Sequence, residues 1–246
     1  MSVKLYTCDD HSAVYAHLSS VSAPVPLVHL DAHCDLRGLF VDRGLQRAWL
    51  RDSNLQVSAS TWLSRSVAEG AVHELEWVHD EVGGRRNDIN TVLFASDLAR
   101  LPYRFIPHPT GEGAQLRYTE TDLNHFTLTR SDAVLDIDWD LFADLRKSPE
   151  RRDHEVRTLL DKRLLAEPKW IYVAFSPWYS QPDRAPYEAF VEALAKFYSC
   201  SVQTLDEPKV ERTKLSRAVS RPVRNAMRRS ALAAKRLLWW ADGIDR

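Results

Sequence analysis

Two short clusters, far apart in the chain, bring together the residue types of metal chemistry: Asp31-Ala32-His33-Cys34-Asp35 and Asp136-Ile137-Asp138-Trp139-Asp140. Each follows an apolar run that reads as a buried strand, Val25-Pro26-Leu27-Val28-His29-Leu30 before the first and Ala133-Val134-Leu135 before the second. Carboxylates crowded at the ends of buried strands repel one another, and each is costly to desolvate alone. A pair of divalent cations removes both problems. Oxygen-rich sites with one or two imidazoles suit Mn²⁺, and also Fe²⁺ or Zn²⁺. Two such ions can share a hydroxide and polarise a carbon centre, so the pattern reads as a two-metal hydrolytic centre. In an extended strand residues i and i+2 face the same way. Asp31, His33 and Asp35 are therefore expected to converge, as are Asp136 and Asp138, with Asp140 as a candidate third. Cys34 alternates away and reads as a core thiol.

These residues need elements to hold them. The pattern predicts a first strand over 3–6, a helix through 13–18 capped by Asp9 or Asp10, and a strand at 27–30. It continues with a helix over 59–69 stopped by Gly70, strands over 72–78 and 91–95, and an edge strand at 115–118. Three prolines and two glycines make 102–113 a loop. A central strand at 134–137, a helix opened by Ser148-Pro149 and running to about Leu165, a strand at 170–175 and a helix over 184–198 complete the body. Residues 211–240 read as a further helix. Alternating strands and helices predict a three-layer α/β/α fold with a mainly parallel sheet, whose ligands bind outside the C-terminal strand ends. Both clusters fall at such ends.

Composition bounds the rest. At 246 residues the chain is long enough for one α/β domain, expected over 1–208, with a basic helical extension over 209–246 packed on it. That extension carries 11 Lys/Arg against 3 Asp/Glu, while the whole chain has a net charge of -1, so an acidic body faces a basic tail. The tail reads as a solvated helix docked on that body, or as a surface for an acidic peptide. No nucleic-acid motif accompanies the charge, so no nucleic-acid partner is expected. Three cysteines without paired spacing, no stretch of transmembrane length and no signal-peptide core point to a cytoplasmic protein without a membrane partner.

The two clusters resemble the signature elements of the arginase-like, or ureohydrolase, superfamily, Asp-Ala-His-x-Asp and a later Asp-x-Asp. Its upstream Asp-His-Ser is matched by Asp10-His11-Ser12. The closer resemblance is to a divergent branch, catalogued as an uncharacterised protein family, that includes the peptide arginases of ribosomal peptide biosynthesis. Leu135-Asp136-Ile137-Asp138-Trp139-Asp140-Leu141-Phe142 is similar to that branch's second motif. The Ser58–Trp62 segment, Gly70, Glu76-Trp77-Val78-His79 and Ala174-Phe175-Ser176-Pro177 also resemble parts of it. The likeness spans roughly residues 3–200 and leaves the basic tail unmatched.

The resemblance implies metal ligands His11, Asp31, His33, Asp35, Asp136 and Asp138 for two Mn²⁺. His11 and Asp35 would serve one ion, His33 and Asp138 the other, and Asp31 and Asp136 would bridge. It implies a manganese-dependent hydrolase that converts arginine side chains of a precursor peptide to ornithine and urea, by attack of a hydroxide held between the ions on the guanidinium carbon. Asp35 would hold the hydroxide proton. The glutamate that grips the guanidinium in free-arginine enzymes has no counterpart at Ala174-Phe175-Ser176-Pro177. Asp97, Asp140, Ser176 and Glu188 are the candidate substrate-binding residues. His79 is the first candidate for the proton shuttle, with His73, His108 and His125 behind it. Trp178 and Tyr179 are candidates for lining a peptide groove. A ureohydrolase of small guanidino compounds and a non-catalytic, metal-stabilised peptide binder are the alternatives. A zinc deacetylase needs a tandem His pair, which the chain lacks. Superfamily members often assemble, so a homo-oligomer is among the expectations.

Overall fold

The computed structural model describes residues 3–21, 23–35, 57, 62–80, 104–107, 115–144, 147–177 and 179–206. They belong to the first of two units, residues 1–208 and 209–246. The basic tail, with its expected helix and packing, lies outside the described residues, as do the expected strand 91–95, Asp97, His108 and Trp178.

In chain order the elements are β1 (Leu5–Cys8), α1 (Ser12–Ser19), β2 (Val25–Leu30), α2 (Trp62–Ala68), β3 (Val72–His79), β4 (Arg104–Pro107), β5 (Gln115–Asp122), β6 (Val134–Asp138), the single turn α3 (Asp140–Ala143), α4 (Pro149–Thr158), β7 (Trp170–Ala174), α5 (Ala185–Phe197) and β8 (Val202–Thr204). The strands form one sheet in the order β4-β5-β3-β2-β6-β7-β1-β8. All neighbours are parallel except β4 and β5. The expected α/β architecture with a mainly parallel sheet is present. Two readings need correction. The Pro/Gly-rich stretch 102–113 contains β4, and β5 runs to Asp122 as an inner strand, since β4 takes the edge. Pro107 closes β4 on that edge, where a missing N–H costs no ladder bond.

The central strands are buried along their whole length, which explains their unbroken apolar runs. Side chains alternate between two cores. Val28, Leu30, Leu135, Ile137, Ile171 and Val173 face one layer, where α5 supplies Tyr187, Phe190, Val191 and Leu194 at helical spacing. Leu27, Val134, Tyr172 and Ala174 face the other, against Ala13, Val14 and Leu18 of α1 and Trp62, Leu63 and Val67 of α2. Ser148 caps α4 by accepting the Arg151 N–H, with Pro149 in the first turn as expected. The helix then widens into a π-helical turn over Leu159–Arg163. Gly70, at φ 77°, ends the segment after α2 in the left-handed region that glycine enters without steric cost. No described helix is long and apolar enough to cross a membrane.

The sheet order has one consequence for function. From β2 the chain moves outward to β3, whereas from β6 it moves the opposite way to β7. The switch point therefore lies between β2 and β6, the place where open α/β sheets form a ligand crevice outside the carboxyl ends of the strands. The two acidic clusters stand there.

Candidate metal centre

The site is built by one local device used three times. An aspartate carboxylate accepts the backbone N–H two residues on: Asp10 from Ser12 at 2.8 Å, Asp31 from His33 at 2.6 Å, and Asp138 from Asp140 at 3.1 Å. Each Asx turn bends the chain at or just beyond a strand end and frees the following side chains to face the crevice. This corrects the expectation of a straight strand with i, i+2 alternation through residue 35. β2 stops at Leu30, and Asp35 has a left-handed backbone at φ 50°. Convergence comes from the turn. Cys34 is buried in the core, as its thiol reading required.

His11, just ahead of α1, is fully buried. Its Nε2 lies 3.3 Å from Asp136 Oδ2, and its Nδ1 lies 3.3 Å from Asp138 Oδ2 and 3.7 Å from Asp35 Oδ2. His33 stands 2.9 Å from Asp140 and 3.6 Å from Asp31. Among the described residues, two groups could hold a metal ion: His11, Asp31 and Asp35, and Asp31, His33 and Asp140. Asp31 belongs to both. The second group differs from the expected set, because His33 is paired with Asp140 while Asp138 turns toward His11 and accepts the Ser176 hydroxyl at 2.7 Å. Asp140 thus joins the cluster rather than standing apart as a substrate acid, and Ser176, at φ 47°, holds a cluster carboxylate.

The residues fit a cation. Both ring nitrogens of His11, Nε2 of His29, Oδ2 of Asp31 and Oδ1 of Asp136 are buried and have no hydrogen-bond partner among the described residues. Buried polar atoms are rarely left so, and this many in one place marks a position for a ligand that binds both imidazole and carboxylate.

Electrostatics agree. Burial works against the charged form of His11, but Asp136, Asp138 and Asp35 outweigh it and hold the imidazole well above its ordinary pKa. His33 is raised in the same way by Asp140 and Asp31. Burial, with Asp31 beside it, pushes the Asp35 carboxyl up to about 8, and burial with Asp140 and Asp31 raises Asp138. The raised values favour the protonated forms, so a cation binding here competes with protons. Mn²⁺ uptake at pH 7 should therefore release protons and strengthen as pH rises toward 8. Titration calorimetry in buffers of different ionisation enthalpy checks this; a buffer-independent heat contradicts it.

Sequence reasoning missed three residues at the site. His29, inside β2, is fully buried between Asp136 (2.7 Å) and Asp31 (3.2 Å). Trp62 donates its indole N–H to Asp35 at 2.6 Å and stacks on His11 at 5.1 Å. Glu120 lies 3.1 Å from Nε2 of buried His79, whose Nδ1 has no hydrogen-bond partner among the described residues. Strand register places His29, Trp77 and Glu120 side by side across β2, β3 and β5, so His79, two residues beyond Trp77, faces the same side as the cluster. Of its competitors, His73 is exposed, and His125 is exposed and paired with Asp122. Glu188 is exposed on α5 and has no hydrogen bond or ion pair to the cluster among the described residues. An exposed carboxylate keeps its water and lacks the dry surroundings that a guanidinium grip exploits. Tyr179, partly exposed, places its ring 5.0 Å from His33. Behind the site, Lys147 ties Asp80, Glu155 and the Leu141 carbonyl together, anchoring the turn after β6 to the end of β3.

Fold and site together define an α/β protein with a buried His/Asp cluster, able to hold a metal ion, at the switch point of a mainly parallel sheet. No family model matches the chain, and no curated protein matches it.

Proposed function

We propose that the chain is a metal-dependent hydrolase that converts arginine side chains of a peptide to ornithine and urea. The observation that carries this reading is the convergence of His11 with carboxylates of two other segments, Asp35 after β2 and Asp136 and Asp138 of β6, both of its ring nitrogens lacking hydrogen-bond partners among the described residues. His11, Asp31, His33, Asp35, Asp136, Asp138 and Asp140 would hold the cations, with Mn²⁺ the expected metal. Bound divalent ions would supply activation of water and polarisation of the carbon it attacks.

The chain's own residues do the rest. The excess of carboxylates over imidazoles draws a guanidinium cation toward the crevice. Asp35, fixed by Trp62, accepts the proton of the attacking water. His79, held through Nε2 by Glu120, presents Nδ1 for proton delivery to the departing nitrogen. A C–O bond forms at the guanidinium carbon, its bond to Nε breaks, and Nε leaves as the ornithine amine. A peptide substrate suits the exposed side of the site, where His33 and Tyr179 meet solvent.

Mass spectrometry of an arginine-containing peptide incubated with Mn²⁺-loaded protein tests the reading. The expected result is loss of one cyanamide equivalent per modified arginine, with matching urea. Urea from free arginine or agmatine, with peptides untouched, would move the substrate to a small guanidino compound. No urea from any of them would remove the hydrolase reading.

A further inference from the structure

We propose that His29 is a positioning residue that links the carboxylates of Asp31 and Asp136 across β2 and β6 and sets the spacing at which they meet a cation. This rests on the metal-centre reading above. His29 stands opposite Asp136 in the β2–β6 register, and its Nδ1 lies 2.7 Å from Asp136 Oδ2. The opposite ring nitrogen, Nε2, approaches Asp31 Oδ2 to 3.2 Å, an ion-pair distance without a formed hydrogen bond. One rigid ring thus spans two carboxylates carried by different strands. Nothing else in β2 can do so: its other residues, Val25, Pro26, Leu27, Val28 and Leu30, are apolar.

The ring is itself held. It is fully buried, edge-on to Trp62 at 5.7 Å and to His11 at 5.9 Å. Trp77, its neighbour in β3, donates its indole N–H to the Asp31 carbonyl at 2.9 Å, fixing the backbone that carries one of the two carboxylates. A carboxylate free to rotate about χ1 and χ2 offers a cation many geometries, whereas a carboxylate with one oxygen held by an imidazole offers few. Partners of this kind typically contribute 10–100-fold to metal affinity.

The test compares wild type with His29→Phe and His29→Gln. Mn²⁺ binding is followed by titration calorimetry and electron paramagnetic resonance, and the melting temperature of each chelator-treated protein is recorded. His29→Phe keeps the ring volume and removes both nitrogens; its Kd for Mn²⁺ should rise about 10–100-fold, with a broadened resonance. His29→Gln keeps one donor and should recover part of the affinity. A purely structural role predicts a lower melting temperature with no such graded recovery. If His29→Phe does not fold, His29→Gln carries the test alone, through an intermediate loss of affinity. Wild-type Kd in either folded variant overturns the proposal and leaves the metal centre standing. No Mn²⁺ binding by wild type overturns both.

Discussion

Asp31→Asn is expected to lower turnover of an arginine peptide by at least about a thousandfold, with loss of most bound Mn²⁺. Asp31 is the one residue common to both potential metal groups, so its charge counts twice. Burial opposes its ionisation, but His29 and His33 outweigh burial and hold the carboxyl well below the usual carboxylate range. Asparagine removes that charge and can turn an amide N–H₂ toward a cation. Cation stabilisation of a reacting centre amounts to several kcal/mol, and each 1.36 kcal/mol is about tenfold in rate. Steady-state kinetics with metal content measured on the same sample provide the check. Activity within tenfold of wild type at full metal content would contradict the assignment of Asp31.

Asp138→Asn should inactivate too, yet its effect on the metal-free protein has the opposite sign. The Asp138 carboxyl is raised by burial, by Asp140 and by Asp31. A group with a raised folded-state pKa contributes stability below its unfolded pKa and loses that contribution as pH rises through the folded value. At pH 8 wild type therefore carries a repulsion that asparagine relieves, while the asparagine oxygen can still accept from Ser176. Chelator-treated Asp138→Asn should melt above chelator-treated wild type at pH 8, by about 2–4 °C for each kcal/mol relieved, and the gap should narrow at pH 5.5. With Mn²⁺ the order reverses, because at a thousandfold excess over Kd wild type gains about 4 kcal/mol. A variant that melts lower in chelator would make Asp138 a structural acceptor for Ser176.

Much of this site could be read in the sequence because aspartates at the ends of apolar runs have few uses. The parts that were missed have physical reasons. His29 sits in an apolar run, and only the strand's central place in a parallel sheet makes clear that its imidazole must be buried and bonded; a lone histidine in such a run is the signal that was there to use. Trp62 has a hydrophobic identity, and its contribution to the site is one N–H. Glu120 lies beyond the strand end expected at Tyr118: the run Thr-Glu-Thr-Asp looks solvated, but Glu120 is nearly buried beside His79. β4 was hidden by prolines, and β8 is short and exposed, stabilised by pairing with β1 rather than by burial. The pairing of His33 with Asp140 depends on the bend after β6, which strand periodicity cannot express.

β1 is the first described strand, yet its two neighbours in the sheet are β7 and β8, the last two described. A growing chain on the ribosome therefore holds β1 without a partner until nearly all of residues 1–208 have been made. His11 follows β1 and depends on it for its place, while Asp136 and Asp138 arrive with β6 only shortly before. Any metal site built on His11 therefore forms only after these late strands have closed β1 into the sheet.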